Sequence, residues 1–324
     1  MSGPVAIGAV QMAGTDRLLR VIDSLAEVFG DLSAGRTDSP SRTVVEHGVP
    51  GVRRELLAGT AVWGRRGVGS VKITKLTQDN PGRGLPLIHG LVVLTDLETG
   101  RITALLDGAE LTAVRTGAVA GLATRLCAPE DAEEVAVIGA GVQARALVRA
   151  VSAVRPVRSV RVCSRTRVRA EAFAQWVRDT AGRRVEVVVC ETAQAAVAGA
   201  AVICTTTSTG GRTPLVAAGW VTPGAHLNVI GGTHEDAIEV DPALLADAFV
   251  VVEERGAAVR EAGEVRAALA GGLIGEDRLH ELGGLVRGTS VVDGRTSVFR
   301  GVGMAIEDTA AAAALYEAAC AAGD

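Results

Sequence analysis

The second half of the chain shows a regular alternation of short apolar runs with stretches of helical periodicity. The runs are rich in Val and Ile, and each is long enough for one strand. Such alternation is typical of βαβ units, which build a parallel sheet with helices on both faces. We therefore predict a doubly wound α/β domain over residues 126–302. The predicted strands lie at 135–139, 157–164, 185–190, 201–207, 226–232 and 248–254.

A glycine-rich turn joins the first of these strands to the helix that follows it. Glycines at such a turn permit a tight bend and a close approach to a pyrophosphate, whose charge the helix N-terminus attracts. The alternative is a purely structural turn, since a lone G-x-G-x-x-A pattern is not specific. The position between strand and helix favours a Rossmann-type dinucleotide site. Its residues are Gly139, Ala140, Gly141, Val142, Gln143 and Ala144.

The end of the second predicted strand indicates which dinucleotide binds. NAD-binding domains carry an acidic residue there for the ribose hydroxyl. This chain has Ser164, Arg165 and Thr166 instead, with Arg169 just beyond. A hydroxyl and guanidinium groups suit a 2′-phosphate, so NADP(H) is favoured and NAD(H) remains possible. Ordinary surface charges at the start of a helix are the alternative.

A threonine run, Thr205, Thr206 and Thr207, ends the fourth predicted strand. Ligands of open α/β sheets bind beyond the carboxyl ends of the strands. We therefore expect these hydroxyls near the ribose or the nicotinamide of the cofactor. The high β-propensity of threonine explains the run nearly as well.

The first part of the chain is organised differently. Residues 16–32 have the spacing of an amphipathic helix, and three β-rich runs between residues 70 and 106 predict a small antiparallel or mixed sheet. Asp107 is the predicted cap of a long helix. Within that helix Arg115 lies among small apolar side chains, where a charge is costly unless it is paired.

Lys72 and Lys75 are the two lysines of the chain, and every other basic side chain apart from histidine is arginine. Lysine is a compact charge with a movable pKa, which suits a small pocket. Side chains alternate along a strand, so these two are predicted to point to opposite faces. Two solvated surface charges are the alternative.

Composition argues against several classes of function. A net charge of −4 and the absence of a basic run with interleaved aromatics argue against nucleic acid. We see neither a signal peptide nor a membrane-spanning run, and we expect a cytoplasmic protein. The five cysteines form no C-x-x-C pair, so we expect buried free thiols and no metal. They are Cys127, Cys163, Cys190, Cys204 and Cys320.

Five motifs together resemble the ornithine cyclodeaminase/mu-crystallin family of nicotinamide-dependent enzymes, from about residue 16 to the end of the chain. The resemblance implies a homodimer. It also implies that residues 1–125 and 303–324 form a smaller α+β domain for substrate binding and dimerisation, and that residues 126–302 bind the dinucleotide. The motifs are VIGAGVQA, SRT, AAVAGAAVICTTT, PGAHLNVIGG and GMAIEDTAAA.

The resemblance also implies roles for single residues. Arg42, Lys72 and Arg115 would hold the carboxylate of a small α-amino or α-imino acid beside the nicotinamide, and Lys72 rather than Lys75 would lie in the pocket. Ile230 and Gly303 would lie at the cofactor.

One position departs from part of the family. Members that cyclise ornithine or lysine carry an aspartate soon after NVIGG, and this chain has Thr233, which cannot act as a carboxylate base. Reductase-like members have a small hydroxyl residue there. Thr233 would hydrogen-bond the reacting nitrogen or a water, and His234 is either a proton donor or an ordinary loop histidine.

We therefore predict an NAD(P)H-dependent oxidoreductase that reduces a cyclic ketimine carboxylate, or interconverts such an α-imino acid with an α-amino acid. Hydride would pass directly from the nicotinamide, without a metal. A cyclodeaminase, or a related lyase or synthase that uses bound NAD, is the first alternative. A protein that binds nicotinamide and a small ligand without turnover is the second.

Overall fold

A computed structural model describes residues 3–48, 52–181, 184–208, 211–232 and 236–323. The chain divides into two compact units, Met1–Arg115 with Gly303–Asp324 and Thr116–Val302. The division falls within the helix Gly108–Cys127, which also contains the domain boundary predicted after residue 125. Each unit has its own sheet.

The sheet of the first unit is mixed. Its order is β1-β7-β6-β5-β4-β2, with β3 also on β4; β1 runs parallel to β7 and the other pairs are antiparallel. The three predicted β-rich runs correspond to β5, β6 and β7. The strands are β1 (Val5–Ile7), β2 (Thr37–Asp38), β3 (Thr43–Glu46), β4 (Arg54–Trp63), β5 (Val68–Thr77), β6 (Ile88–Asp96) and β7 (Ile102–Asp107).

The sheet of the second unit is parallel throughout the described residues, in the order β10-β9-β8-β11-β12-β15-β13-β14. The strand order reverses between β8 and β11, which is the switch point of a doubly wound sheet. The predicted fold class is therefore confirmed. The strands are β8 (Glu134–Ile138), β9 (Ser159–Cys163), β10 (Glu186–Val189), β11 (Val202–Thr205), β12 (His226–Val229), β13 (Phe249–Val252), β14 (Leu279–Glu281) and β15 (Ser297–Arg300).

Helices of the first unit cover one face of its sheet. The last helix, α11 (Ala305–Ala322), packs on β4, β5 and α2 (Thr15–Leu32), and its alanines at 310–314 are almost fully buried because small side chains allow close approach. The α-helices of both units, in chain order, are α1 (Ala9–Met12), α2 (Thr15–Leu32), α3 (Gly108–Cys127), α4 (Val142–Val154), α5 (Arg167–Ala181), α6 (Ala193–Val197), α7 (Leu244–Asp247), α8 (Arg255–Glu261), α9 (Gly263–Ala270), α10 (Leu282–Val286) and α11 (Ala305–Ala322).

The five cysteines are free, as predicted, but they differ in burial. Cys127 and Cys204 are buried, and burial raises the pKa of each thiol to about 12. Cys320 is exposed, so the prediction that all five are buried is wrong there. It lies near the end of α11 and is not among the buried residues of that helix. None of the helices in the described ranges is both long enough and apolar enough to cross a membrane.

Candidate active site

Two cations of the first unit meet acidic residues in the first turn of α11. Lys72 Nζ lies 3.0 and 3.2 Å from the two carboxylate oxygens of Asp308. Arg115 Nη1 donates to Glu307 Oε2 at 2.8 Å, and Arg115 Nε lies 3.3 Å from Asp308 Oδ1. These four side chains form what we call the α11 charge cluster.

Burial makes the charge balance of the α11 charge cluster important. Glu307 and Asp308 are almost fully buried, whereas the Lys72 and Arg115 side chains keep 13% and 12% of their surface. Burial lowers the pKa of Lys72; Asp308 opposes this shift, and the nearby Arg115 adds to it. With two cations and two anions, the cluster is neutral when all four groups are ionised.

The start of α11 explains how the acids are held. Glu307 Oε1 accepts a hydrogen bond of 2.8 Å from Met304 N, which leaves the other oxygen for Arg115. Gly303, just before the helix, has φ +82°, and a Cβ there would lie 2.9 Å from Arg115 Nη1. The structure thus places Gly303 in the first unit against the Arg115 guanidinium.

Arg42 lies across β4 from Lys72. Gly59 pairs with Lys72 in the sheet register, and a Cβ on Gly59 would lie 4.0 Å from Cβ of Arg42 and 3.3 Å from Cβ of Ala305. Arg42, which is exposed, and Lys72 therefore flank a position without a side chain, on the face that α11 covers. The fold of the first unit brings all three predicted carboxylate-binding cations to the start of α11.

Lys75 points to the other face of the sheet, as the alternation along a strand predicts. Its Nζ contacts Nε2 of the exposed His47, away from the α11 charge cluster. The two lysines of the chain thus occupy different environments although they are three residues apart.

The glycine-rich turn connects β8 to α4 in the second unit. Gly139 has φ +111°, and a Cβ there would lie 2.7 Å from Thr206 Oγ1, so only glycine fits. Gly141 precedes the first residue of α4, and nothing lies within 4 Å of where its Cβ would be. Ala144 is fully buried, while Val142 is exposed. Gln143 has a buried side-chain oxygen without a partner among the described residues.

The four residues predicted to select the dinucleotide follow β9. Ser164 is half-buried, whereas Arg165, Thr166 and Arg169 are exposed at the start of α5. Arg167, between them, pairs with Glu171 at 2.9 Å and with Glu191 at 3.5 Å. Within the described part of the chain, no carboxylate forms an ion pair with Arg165 or Arg169.

The threonines at the end of β11 and just after it differ from one another. Thr206 lies against Gly139. Thr205 is fully buried, and Thr207 donates from both N and Oγ1 to Glu239, at 2.6 and 2.5 Å. Ile230 follows β12, and its N donates to Thr205 O at 3.0 Å.

Three charged residues that the sequence analysis missed form a buried network that contacts Thr207. Glu239, Glu264 and Arg300 are buried; Arg300 Nε donates to Glu264 Oε2 at 2.8 Å, and Glu239 N donates to Glu264 Oε1 at 2.6 Å. The missed signal was a charge in an apolar segment, as in "AIEVD" and "SVFRG", and the same signal marks Glu307 and Asp308 in "GMAIEDTAAA". Two predicted site residues, Thr233 and His234, lie outside the described residues.

Comparison with known proteins supplies the family. Residues 7–323 match the model of the ornithine cyclodeaminase/mu-crystallin family. The chain is 33% identical over 307 residues to a Bacillus cereus Delta(1)-pyrroline-2-carboxylate reductase (92% of this chain, 91% of the relative). It is 34% identical over 249 residues to the Mus musculus ketimine reductase mu-crystallin (76% and 75%).

A solved structure agrees with these relatives. Thermococcus litoralis Delta(1)-pyrroline-2-carboxylate reductase, in complex with NADH and L-proline, superposes with a TM-score of 0.89 at 29% identity, covering 98% of both chains. The match spans both units described above. The chain therefore belongs to the ornithine cyclodeaminase/mu-crystallin family.

Proposed function

We propose that the protein reduces the C=N bond of a small cyclic ketimine carboxylate to the corresponding amino acid, with NADPH or NADH as cofactor. The observation that carries the proposal is the α11 charge cluster, in which a lysine and an arginine are fixed by buried carboxylates. The names of the relatives support the same chemistry, since two are pyrroline-2-carboxylate reductases and one is a ketimine reductase.

Lys72 and Arg115, with Arg42, would bind the substrate carboxylate. An ammonium has three N–H donors, so the contacts to Asp308 leave Lys72 at least one donor for a ligand. We propose that the imine is reduced in its protonated, reactive form, and that Lys72 favours this form by its charge or by donating the proton.

The residues of the second unit fit a dinucleotide. Gly139 lets the turn pack against Thr206, and Gly141, with open space where a Cβ would be, precedes the N-terminus of α4, where a pyrophosphate is favoured. When bound, the nicotinamide would supply hydride from its C4 atom. Arg165 and Arg169 would bind a 2′-phosphate, which is why NADPH is the proposed preference.

We also propose a homodimer, formed through the sheet face of the first unit that α11 does not cover. Leu56, Ile73 and Leu91 are 45%, 47% and 42% exposed on neighbouring strands of this face. Apolar side chains exposed side by side on one sheet face favour an interaction site there. Sedimentation of Ile73→Glu beside the parent would test it, with a shift to monomer expected.

Thr233 is proposed to hydrogen-bond the reacting nitrogen or a water, with His234 beside it as a candidate proton donor. An aspartate at residue 233 would supply the base that cyclodeamination of ornithine or lysine uses in the family. Thr233→Asp is expected to lower imine reduction and His234→Gln to slow it without changing cofactor affinity.

The test of the proposed function is a paired assay of the purified protein. One arm follows oxidation of NADPH and NADH with five- and six-membered cyclic ketimine carboxylates, and the other follows ammonia release from ornithine and lysine with NAD. Rapid oxidation without ammonia release supports the reductase. Ammonia release without net cofactor turnover would replace it with the cyclodeaminase, and cofactor binding without any turnover would indicate a binding protein.

A further inference from the structure

Glu239 touches the chain at the carboxyl ends of two neighbouring strands. Its Oε1 accepts hydrogen bonds from Thr207 N at 2.6 Å and from Thr207 Oγ1 at 2.5 Å, just after β11. The same carboxyl lies against Gly231, just after β12, so closely that a Cβ on Gly231 would overlap it. One side chain therefore fixes two segments at the edge where a doubly wound sheet binds its ligand.

The backbone of Glu239 is itself held firmly. Its N donates to Glu264 Oε1 at 2.6 Å, and its carbonyl accepts from Leu215 N at 2.8 Å and Val216 N at 3.1 Å. Glu264 in turn accepts from Arg300 Nε. The Glu239 carboxyl is thus presented to Thr207 and Gly231 from a fixed position.

The surroundings of Glu239 favour the uncharged acid. Oε2 is buried without a hydrogen-bond partner among the described residues, as is the nearby Thr205 Oγ1. The three guanidinium nitrogens of Arg300 donate to Glu264 and to the carbonyls of Val229, Gly232 and Gly301. Burial raises the pKa of Glu239, although the hydrogen bonds from Thr207 and the Arg300 charge oppose the shift. A buried carboxylate with one unpaired oxygen is costly, and protonation removes the negative charge that burial penalises.

We propose that Glu239 is a positioning residue that, as an uncharged carboxylic acid, holds the backbone after β11 and β12 in the shape that a bound nicotinamide dinucleotide requires. The inference rests on the proposed function for the identity of the ligand. It assigns Thr207 to a supporting role, since its hydroxyl and its N–H both serve Glu239.

The test compares Glu239→Gln with Glu239→Leu in the full-length protein. Melting temperature, equilibrium affinity for NADPH by fluorescence, and kcat/KM with pyrroline-2-carboxylate are measured for each. Glutamine keeps an acceptor for Thr207 and has a donor where the acid has its proton, so both affinity and kcat/KM stay within about threefold of the parent. Leucine fills the space without hydrogen bonds and lowers NADPH affinity by about tenfold or more.

Each outcome decides between roles. Equal losses in both variants would mean that a charged carboxylate is needed, and unchanged affinity in Glu239→Leu would remove the positioning role; either result overturns the proposal. If the leucine variant does not fold, Thr207→Val and Thr207→Ser replace it. Thr207→Val, which lacks the hydroxyl, is expected to weaken NADPH binding, and Thr207→Ser, which keeps it, is expected to bind NADPH like the parent. Equal affinities of the two variants would overturn the proposal. Failure of the parent to bind either dinucleotide would instead refute the proposed function.

Discussion

Two groups of buried charges use similar residues for different ends. In the α11 charge cluster, the acids are buried and the cations Lys72 and Arg115 keep part of their surface. In the second unit, Arg300 is 2% exposed and all its donor groups bind Glu264 or backbone carbonyls. A cation with exposed surface can bind a ligand, whereas a buried one whose three nitrogens all bond a carboxylate or backbone carbonyls holds the backbone.

The largest effect on stability is expected from removing the charge of Arg300, which is buried. Arg300→Met leaves Glu264 buried and unpaired, which should lower the free energy of unfolding by about 3–5 kcal/mol. Urea denaturation of the parent and the variant measures it. Adding Glu264→Leu removes the orphan charge and should recover part of the loss. A stability unchanged by Arg300→Met would mean that the two groups of charges do not differ as described.

The next effect separates the two lysines. Lys72→Met should lower kcat/KM for a cyclic ketimine carboxylate by roughly a hundredfold, because it removes the charge-assisted contact that we propose between Lys72 and the substrate carboxylate. Lys75→Met is the matched control on the opposite face and should keep the parent's kcat/KM. Steady-state kinetics and melting temperatures of both variants decide the matter. Equal behaviour of the two variants would show that the α11 charge cluster does not bind substrate.

The buried His226 of the second unit makes the stability of the protein depend on pH. His226 is fully buried, its Nδ1 lies 2.9 Å from Ser297 Oγ, and burial lowers its pKa to about 3. Because the folded pKa lies below the unfolded value of about 6.5, the unfolded state binds the proton first, and stability falls as pH falls below that value. When the pH is lowered from 7.5 to 5, the free energy of unfolding of the parent should fall by about 2 kcal/mol more than that of His226→Gln. Parallel pH dependences in denaturant titrations would contradict this.

The smallest effect concerns the exposed arginines after β9. Arg165→Ala with Arg169→Ala should raise the KM for NADPH about tenfold and leave that for NADH nearly unchanged, because only NADPH has the 2′-phosphate. Arg167→Ala is the control, since Arg167 pairs with Glu171 and Glu191. If the double variant kept the parent's preference for NADPH over NADH, the proposed 2′-phosphate site would be wrong.

Much of the parallel sheet was predictable from local sequence. The strands β8 to β13 were found because each is a short Val- and Ile-rich run followed by a turn or a helix. β4 was missed, since "RELLAGTAVW" contains Ala and Gly that carry little β-propensity. The short β14 and β15 were missed as well; β14 pairs with β13, and β15 pairs with both β12 and β13.

The sequence alone determined the doubly wound α/β class, the glycine-rich turn at Gly139 and the opposite directions of Lys72 and Lys75, because these depend on periodicity and on near neighbours in the chain. Only the tertiary structure showed that Glu307 and Asp308 pair with Arg115 and Lys72, and that Glu239 joins Thr207 to Gly231. These contacts link residues far apart in the sequence. No local pattern records which distant charge will neutralise a buried one, since that depends on how the elements pack.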